Sequence, residues 1–371
     1  MKYFLIAGEA SGDLHASNLI CELRKLDEKG VFCGFGGDLM RQAGCNIIQD
    51  YRNMAYMGFV AVALNIKKIH RNLQLAKQSI LETRPDHLIL IDYPTFNLKI
   101  AKFAKQHLPQ TKIHYYVPPK VWAWKTWRIH NIARYSDNIL GIFPFEPDFY
   151  AKYGYKAHYV GNPTAETVAG YNAAHKDSQR QRQIAIVPGS RKYEVEKCLP
   201  VMLRAALKTA DQYEIIVTQA PTLDDKLYND IINKTLGNKA KKIHLSRETY
   251  HAVSTSCAAI VNSGTATLET ALLDTPQVAV YHVEFPHLMG ALRNILFSIP
   301  YFTLVNIIAQ KQVITELLAY EFTEENVSSE LQRLLTDSGY CRQMLAGYQT
   351  IKDILGTRHA ATSAARLIKN S

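Results

Sequence analysis

A chain of 371 residues exceeds what one hydrophobic core usually supports, so two domains are expected. A hydrophobic content of 47% without a long biased tract excludes a disordered protein, and a net charge of +10 with a pI near 9.1 calls for an anionic partner: nucleic acid, an acidic membrane surface or a phosphorylated substrate. Six scattered cysteines with no CxxC pair read as reduced thiols of a cytoplasmic protein rather than a metal site, and the absence of an apolar run of about 18 residues predicts no spanning helix.

Taken in order, Tyr3 to Ala7 is an apolar run expected to form a buried strand, and Gly8-Glu9 ends it too early for a signal peptide. The loop Gly8-Glu9-Ala10-Ser11-Gly12-Asp13 leads into a helix from about His15 to Leu26. It is not the GxGxxG fingerprint, so no dinucleotide is predicted. Ser11 and Asp13 either face a sugar or acceptor, or serve as turn and helix cap. A second strand at Val31 to Cys33 sets up a repeating strand, loop, helix rhythm, which implies a parallel sheet with ligands at the carboxyl ends of its strands.

Met54 to Arg71 breaks that rhythm. Apolar residues including Met57, Phe59 and Val60 precede a basic cluster with Lys67, Lys68 and Arg71, which is either a membrane-surface element or a core helix with a solvated basic end. Leu88 to Ile91 is a strongly apolar strand with Asp92 at its carboxyl end and Pro94 fixing the turn beyond. Asp92 is therefore the preferred general base, its alternative being a cap or turn residue. After a strand at Ile113 to Val117, Trp122, Trp124 and Trp127 lie among lysines and an arginine, as sugar or membrane contacts or as a packed aromatic corner. Strands at Asn138 to Phe143 and Ala157 to Val160 complete the first half, and the polar stretch Ala169 to Gln183 reads as the linker.

The alternation restarts with strands at 184–187, 214–218, 242–245, 258–261 and 277–281. Leu304 to Ile308 is followed by a helical pattern containing Glu316, and the chain is expected to be helical from Val327 onward. Two strand ends stand out. Ile184 to Val187 runs into Pro188-Gly189-Ser190-Arg191, where glycine permits close backbone approach and a permanent guanidinium suits phosphate oxygens. Ala258 to Val261 runs into Asn262-Ser263-Gly264-Thr265-Ala266-Thr267-Leu268-Glu269, a hydroxyl-rich turn at a helix start whose N–H groups and dipole favour phosphate. Glu269 falls one position past a capping-box glutamate, which leaves its carboxylate available for a ribose. Together the turns suggest one diphosphate held between two loops.

These stretches, with Met57-Gly58, Val121-Trp122-Ala123-Trp124, Phe145-Glu146 and Glu194-Val195-Glu196, resemble the lipid-A-disaccharide synthase family, in the family's order and over nearly the whole chain. The resemblance implies an α/β fold of two Rossmann-like domains facing a cleft, the GT-B architecture. The expected domains are 1–168 for acceptor and membrane, 184–345 for the UDP-sugar, and a helical tail, 346–371, packing back on the first. The implied reaction moves 2,3-diacylglucosamine from UDP to the 6-hydroxyl of 2,3-diacylglucosamine 1-phosphate, with release of UDP, at the inner-membrane surface; the sequence leaves the oligomeric state open, a homodimer among the alternatives. It marks Asp92 and Arg191 as functionally important and assigns UDP to the turns at Gly189, Ser190 and Arg191 and at Ser263 to Glu269. Should the base lie elsewhere than Asp92, Glu9 and Asp13 are the next candidates from the sequence itself. Ser11, Met57, Phe59, Val60, Lys67, Lys68, Arg71, Trp122 and Trp124 are the expected acceptor or membrane contacts.

Four positions depart from the family's pattern: Thr95, Pro118, Lys120 and Asn162 stand where aspartate, two serines and histidine are common. No cofactor or metal is expected, since a guanidinium and a helix N-terminus can stabilise the leaving group. Two rivals are weighed against this reading. One is another UDP-N-acetylglucosamine enzyme of the same architecture, an epimerase or lipid-linked transferase; the other is nucleic-acid binding, disfavoured by dispersed basic residues and the lack of a motif.

Overall fold

The structure, a computed structural model, describes residues 1–54, 66–123, 126–176, 179–209, 212–283 and 300–371. It divides into two compact units, Met1–Pro163 with Thr357–Ser371, and Thr164–Gly356. Each unit is a parallel sheet covered by helices.

The first sheet contains β1 (Lys2–Ala7), β2 (Val31–Gly36), β3 (Asn46–Asp50), β4 (His87–Ile91), β5 (Lys112–Tyr116), β6 (Asn138–Gly141) and β7 (His158–Tyr159), ordered β3-β2-β1-β4-β5-β6-β7. All its pairings are parallel, and both faces are covered, which is why its central strands are continuous apolar runs. In β1, Tyr3, Leu5 and Ala7 pack with Leu19, Ile20 and Leu23 of the helix Ala10–Leu26, whereas Phe4 and Ile6 pack with Ile100, Ala101 and Ala104 of the helix Pro94–His107. β3 is not among the expected strands, because it closes the sheet edge, where Asn46, Gln49 and Asp50 interrupt the apolar pattern. The helix Ala10–Leu26 starts earlier than its sequence pattern suggests, so Ser11 and Asp13 belong to its first turns rather than to a loop.

The second sheet contains β8 (Gln183–Val187), β9 (Glu214–Thr218), β10 (Ile243–Ser246), β11 (Ala258–Asn262), β12 (Gln277–Tyr281) and β13 (Thr315–Leu318), ordered β10-β9-β8-β11-β12-β13. It too is wholly parallel. The expected helix around Glu316 is corrected to strand β13, and Leu304–Ala309 is a helix capped by Thr303, whose hydroxyl accepts from the Asn306 N–H. Glu316 accepts from the backbone N–H groups of Phe302 and Thr303 at 3.0 and 2.8 Å, which ties the edge strand to that helix start.

The expected boundary at 345/346 falls inside one helix, Ser338–Leu355, whose Met344 and Tyr348 are buried in the second unit. Only the helix Ala360–Lys369 returns to the first unit, where Ala364, Ala365 and Ile368 join the core beside the helix Ala10–Leu26 and Thr362 donates to Glu22 at 3.0 Å. The stretch expected as linker is helical as far as Ala174, within Pro163–Ala174. Among the described residues no helix is long and apolar enough to cross a membrane.

Candidate active site

In an open parallel sheet the strand order reverses at one point, and the loops leaving the two strands there diverge to opposite faces and open a crevice. In the first unit that point lies between β1 and β4, the strands that lead into Gly8-Glu9 and into Asp92.

Asp92 leaves β4 with φ of +43°, and Tyr93 follows at +46°. Two consecutive non-glycine residues in the left-handed region are a strained exit, and such strain persists only where the surroundings over-determine it. The clamps are visible. The Asp92 N–H donates to the Val117 carbonyl at 3.2 Å, and the Asp92 carbonyl accepts from the Asn97 amide and the Tyr115 hydroxyl, both at 2.8 Å. Pro94 opens the next helix, and Gly8 is required where the Tyr93 ring crosses, since a Cβ there would run into the ring. Burial raises the Asp92 carboxyl above the usual aspartate value, opposed by the Lys120 charge and the Tyr93 N–H. A carboxylate shifted in that direction is a better proton acceptor.

Lys120 and Glu146 complete the local charge set. The surrounding protein lowers the Lys120 ammonium, with the Asp92 and Glu146 carboxylates opposing. Glu146 is buried, accepts from the Phe143 N–H at 2.9 Å, and is pushed up to about 7 by burial. Neither residue was assigned a role from sequence. Lys120 stood out only as a departure from the family, and Glu146 only as part of the matching stretch Phe145-Glu146, since as a first-turn acidic residue of the helix Glu146–Ala151 it carries no signal of its own.

Several expected contacts are corrected by their surroundings. Asp13 is 3% exposed and accepts from the N–H groups of Gly37, Leu39 and Met40 at 2.7 to 3.2 Å, so it caps the helix Asp38–Gln42 and has no free face for a substrate. Trp122 is 4% exposed in an edge-on cluster with Phe143 and Phe145, the packed corner rather than a membrane contact. Glu9 is half-buried at the start of the helix Ala10–Leu26 without a side-chain capping bond, and Ser11 is exposed beside it. Lys67, Lys68 and Arg71 lie exposed at the start of the helix Ile66–Thr83, where Ile66 is exposed as well. Met57, Phe59, Val60 and Trp124 lie outside the described residues. Of the departures, Thr95 is exposed near Arg128, and Asn162 is buried with its amide donating to the Ile142 carbonyl at 3.0 Å.

In the second unit the order reverses between β8 and β11, and the two phosphate-type turns leave those two strands. Gly189 has φ of +115°, and a Cβ there would lie 2.6 Å from Glu194 Oε2 and 2.8 Å from Asn262 Nδ2, so the turns touch. The Ser190 and Arg191 N–H groups are already engaged, donating to Glu194 Oε2 at 3.1 and 3.2 Å, and the Arg191 guanidinium pairs with Glu194 Oε1 at 3.0 Å. What this turn offers an anion is thus the exposed Arg191 guanidinium and the Ser190 hydroxyl, not an open pair of amides.

The other turn does present a helix N-terminus. The helix Thr265–Leu272 follows Gly264 with no side-chain cap, with Gly264 and Thr265 exposed and Ala266 half-buried. Ser263 sits before it, its N–H tied to the Val280 carbonyl at 2.8 Å. Thr267 is corrected: fully buried, it donates to the Gly264 carbonyl at 2.9 Å and faces no ligand. Glu269 is half-buried, its carboxyl raised by burial, and Oε1 accepts from the Tyr250 hydroxyl at 3.1 Å. Among the described residues no group of three or more histidine, cysteine or acidic side chains is arranged around a metal position.

Known proteins share this fold. A solved UDP-N-acetylglucosamine 2-epimerase from Methanocaldococcus jannaschii, in complex with UDP-GlcNAc and UDP, superposes over all of both chains with a TM-score of 0.64 at 12% identity. The calicheamicin glycosyltransferase CalG4 superposes with a TM-score of 0.59 at 12% identity, over 100% of this chain and 97% of its own. At such identity these show the fold alone, which is GT-B. Sequence similarity goes further. Lipid-A-disaccharide synthases of Geobacter sulfurreducens and Syntrophus aciditrophicus are 34% and 35% identical over 99% of this chain, covering 96% and 98% of their own lengths. The lipid-A-disaccharide synthetase family model matches residues 3–367, and the chain belongs to that family of glycosyltransferases.

Proposed function

We propose that the protein transfers a 2,3-diacylglucosaminyl unit from its UDP derivative to the 6-hydroxyl of 2,3-diacylglucosamine 1-phosphate, forming the β-1,6-linked disaccharide 1-phosphate and releasing UDP. Asp92 takes the hydroxyl proton as the acceptor oxygen bonds to the anomeric carbon from the face opposite the diphosphate. The bond from that carbon to the phosphate oxygen breaks, and its electron pair leaves with UDP. Arg191 and the N-terminus of the helix Thr265–Leu272 stabilise the departing charge, Ser190 and Ser263 add hydroxyl donors, and Glu269 accepts from the ribose. Lys67, Lys68 and Arg71 attract the anionic headgroups beside which an acylated substrate resides.

The observation that carries this reading is the strained turn at Asp92, in which a carboxyl with raised proton affinity stands at the reversal point of the first sheet. The test is product mass spectrometry after incubation with the UDP-diacylglucosamine donor, with and without the 1-phosphate acceptor. UDP and disaccharide 1-phosphate should form together only when both sugars are present. An epimerised UDP-sugar appearing without acceptor would select the rival enzyme instead.

A further inference from the structure

We infer that Tyr250 is a positioning residue for the nucleotide ribose, acting through Glu269. The inference rests on the ribose role proposed for Glu269 and adds the group that holds that carboxylate in place. The Tyr250 hydroxyl donates to Glu269 Oε1 at 3.1 Å, while Oε2 has no hydrogen-bond partner among the described residues. One oxygen of a half-buried carboxylate is therefore fixed, and the other is left to accept from a ligand hydroxyl. Fixing one oxygen removes rotation about the terminal carboxylate bond, so the second keeps one direction before any ligand arrives.

Tyr250 is itself held. Its ring meets that of Tyr171 edge to face, with centroids 5.5 Å apart and planes at 79°. Tyr171 in turn stacks on His175 at 4.1 Å and bonds through its hydroxyl to Ser254 at 3.1 Å. Tyr171 belongs to the helix Pro163–Ala174, and Tyr250 and Ser254 to the short helix Thr249–Ser254. The chain of contacts thus runs from the first helix of the second unit to the acidic residue on Thr265–Leu272. A tyrosine placed only for packing would not need its hydroxyl on the one carboxylate of that turn.

The experiment is isothermal titration of the full chain with UDP and with 2′,3′-dideoxy-UDP, comparing wild type, Tyr250→Phe, Glu269→Gln and the double variant. Phenylalanine keeps the ring packing on Tyr171, and a thermal melt of each variant confirms the fold. Tyr250→Phe should weaken UDP binding about 2- to 10-fold, the range of one hydrogen bond, leave dideoxy-UDP unchanged, and have no added effect once Glu269 is Gln. Equal weakening of both nucleotides, no weakening of either, or an undiminished effect in the Glu269→Gln background would overturn the inference. If Glu269→Gln itself fails to discriminate the two nucleotides, the ribose role of Glu269 falls, and the role of Tyr250 with it.

Discussion

Two carboxyl groups at the first site show how surroundings decide a residue's work. Asp13 was a candidate base on sequence grounds, yet its oxygens are spent on three backbone N–H groups. Asp13→Ala should therefore act on stability, costing about 1–3 kcal/mol in a urea titration through the unpaired donors it leaves. An unchanged midpoint with lost turnover would return Asp13 to the chemistry. Glu146 titrates near 7 in the folded chain against an ordinary 4.5, because burial disfavours its charged form. The folded state therefore holds that proton more tightly than the unfolded one, and the stability it contributes is full below pH 4.5 and fades as pH rises through about 7. Relative to Glu146→Gln, wild type should lose about 3 kcal/mol across that window. His87 and His114, both lowered by burial, slope the opposite way in both proteins and cancel in the difference. A difference that does not vary with pH would mean that Glu146 is not held neutral.

Among the elements, the buried parallel strands were the most legible, since Tyr3 to Ala7, Leu88 to Ile91 and Ala258 to Val261 are unbroken apolar runs that only a doubly covered sheet accommodates. The turns after β8 and β11 were legible for the same reason: glycine and hydroxyl residues follow directly on such runs. What the sequence concealed was long-range pairing. The donors that bury Asp13 lie 24 to 27 residues further on, the rings that enclose Trp122 are at 143 and 145, and Tyr250 reaches Glu269 across 19 residues. The strand at Glu316, where a helical pattern was expected, has a similar cause, because a short apolar run fits either element until its caps and partners are known. The helix Ile66–Thr83 carries the surface prediction. Replacing Lys67, Lys68 and Arg71 with Gln should weaken binding to anionic vesicles by about 1 kcal/mol per charge, with the wild-type affinity falling as salt is added. Binding indifferent to both changes would make these side chains an ordinary solvated face.

At the scale of the whole molecule, one sheet plan is used twice, and each unit places its candidate groups where its strand order reverses: Asp92 after β4 beside β1 in the first, and in the second the turns after the paired strands β8 and β11, which touch at Gly189 and Asn262. The proposed function puts acceptor activation and nucleotide binding in different units, and the repeated sheet plan explains how far sequence could reach. It announced two α/β units and both turn sets, while the residues that tune them emerged only from packing. The assignment makes chemistry and nucleotide affinity separable. Asp92→Asn keeps the size of the side chain and the main-chain bonds of the turn but removes the basic oxygen, and general-base assistance is worth about 10²- to 10⁴-fold. The decisive measurement is the turnover number of folded Asp92→Asn alongside its dissociation constant for UDP. Turnover should fall by that factor while UDP affinity stays at the wild-type value, and near-normal turnover, or a loss of UDP binding equal to the loss of rate, would contradict the assignment.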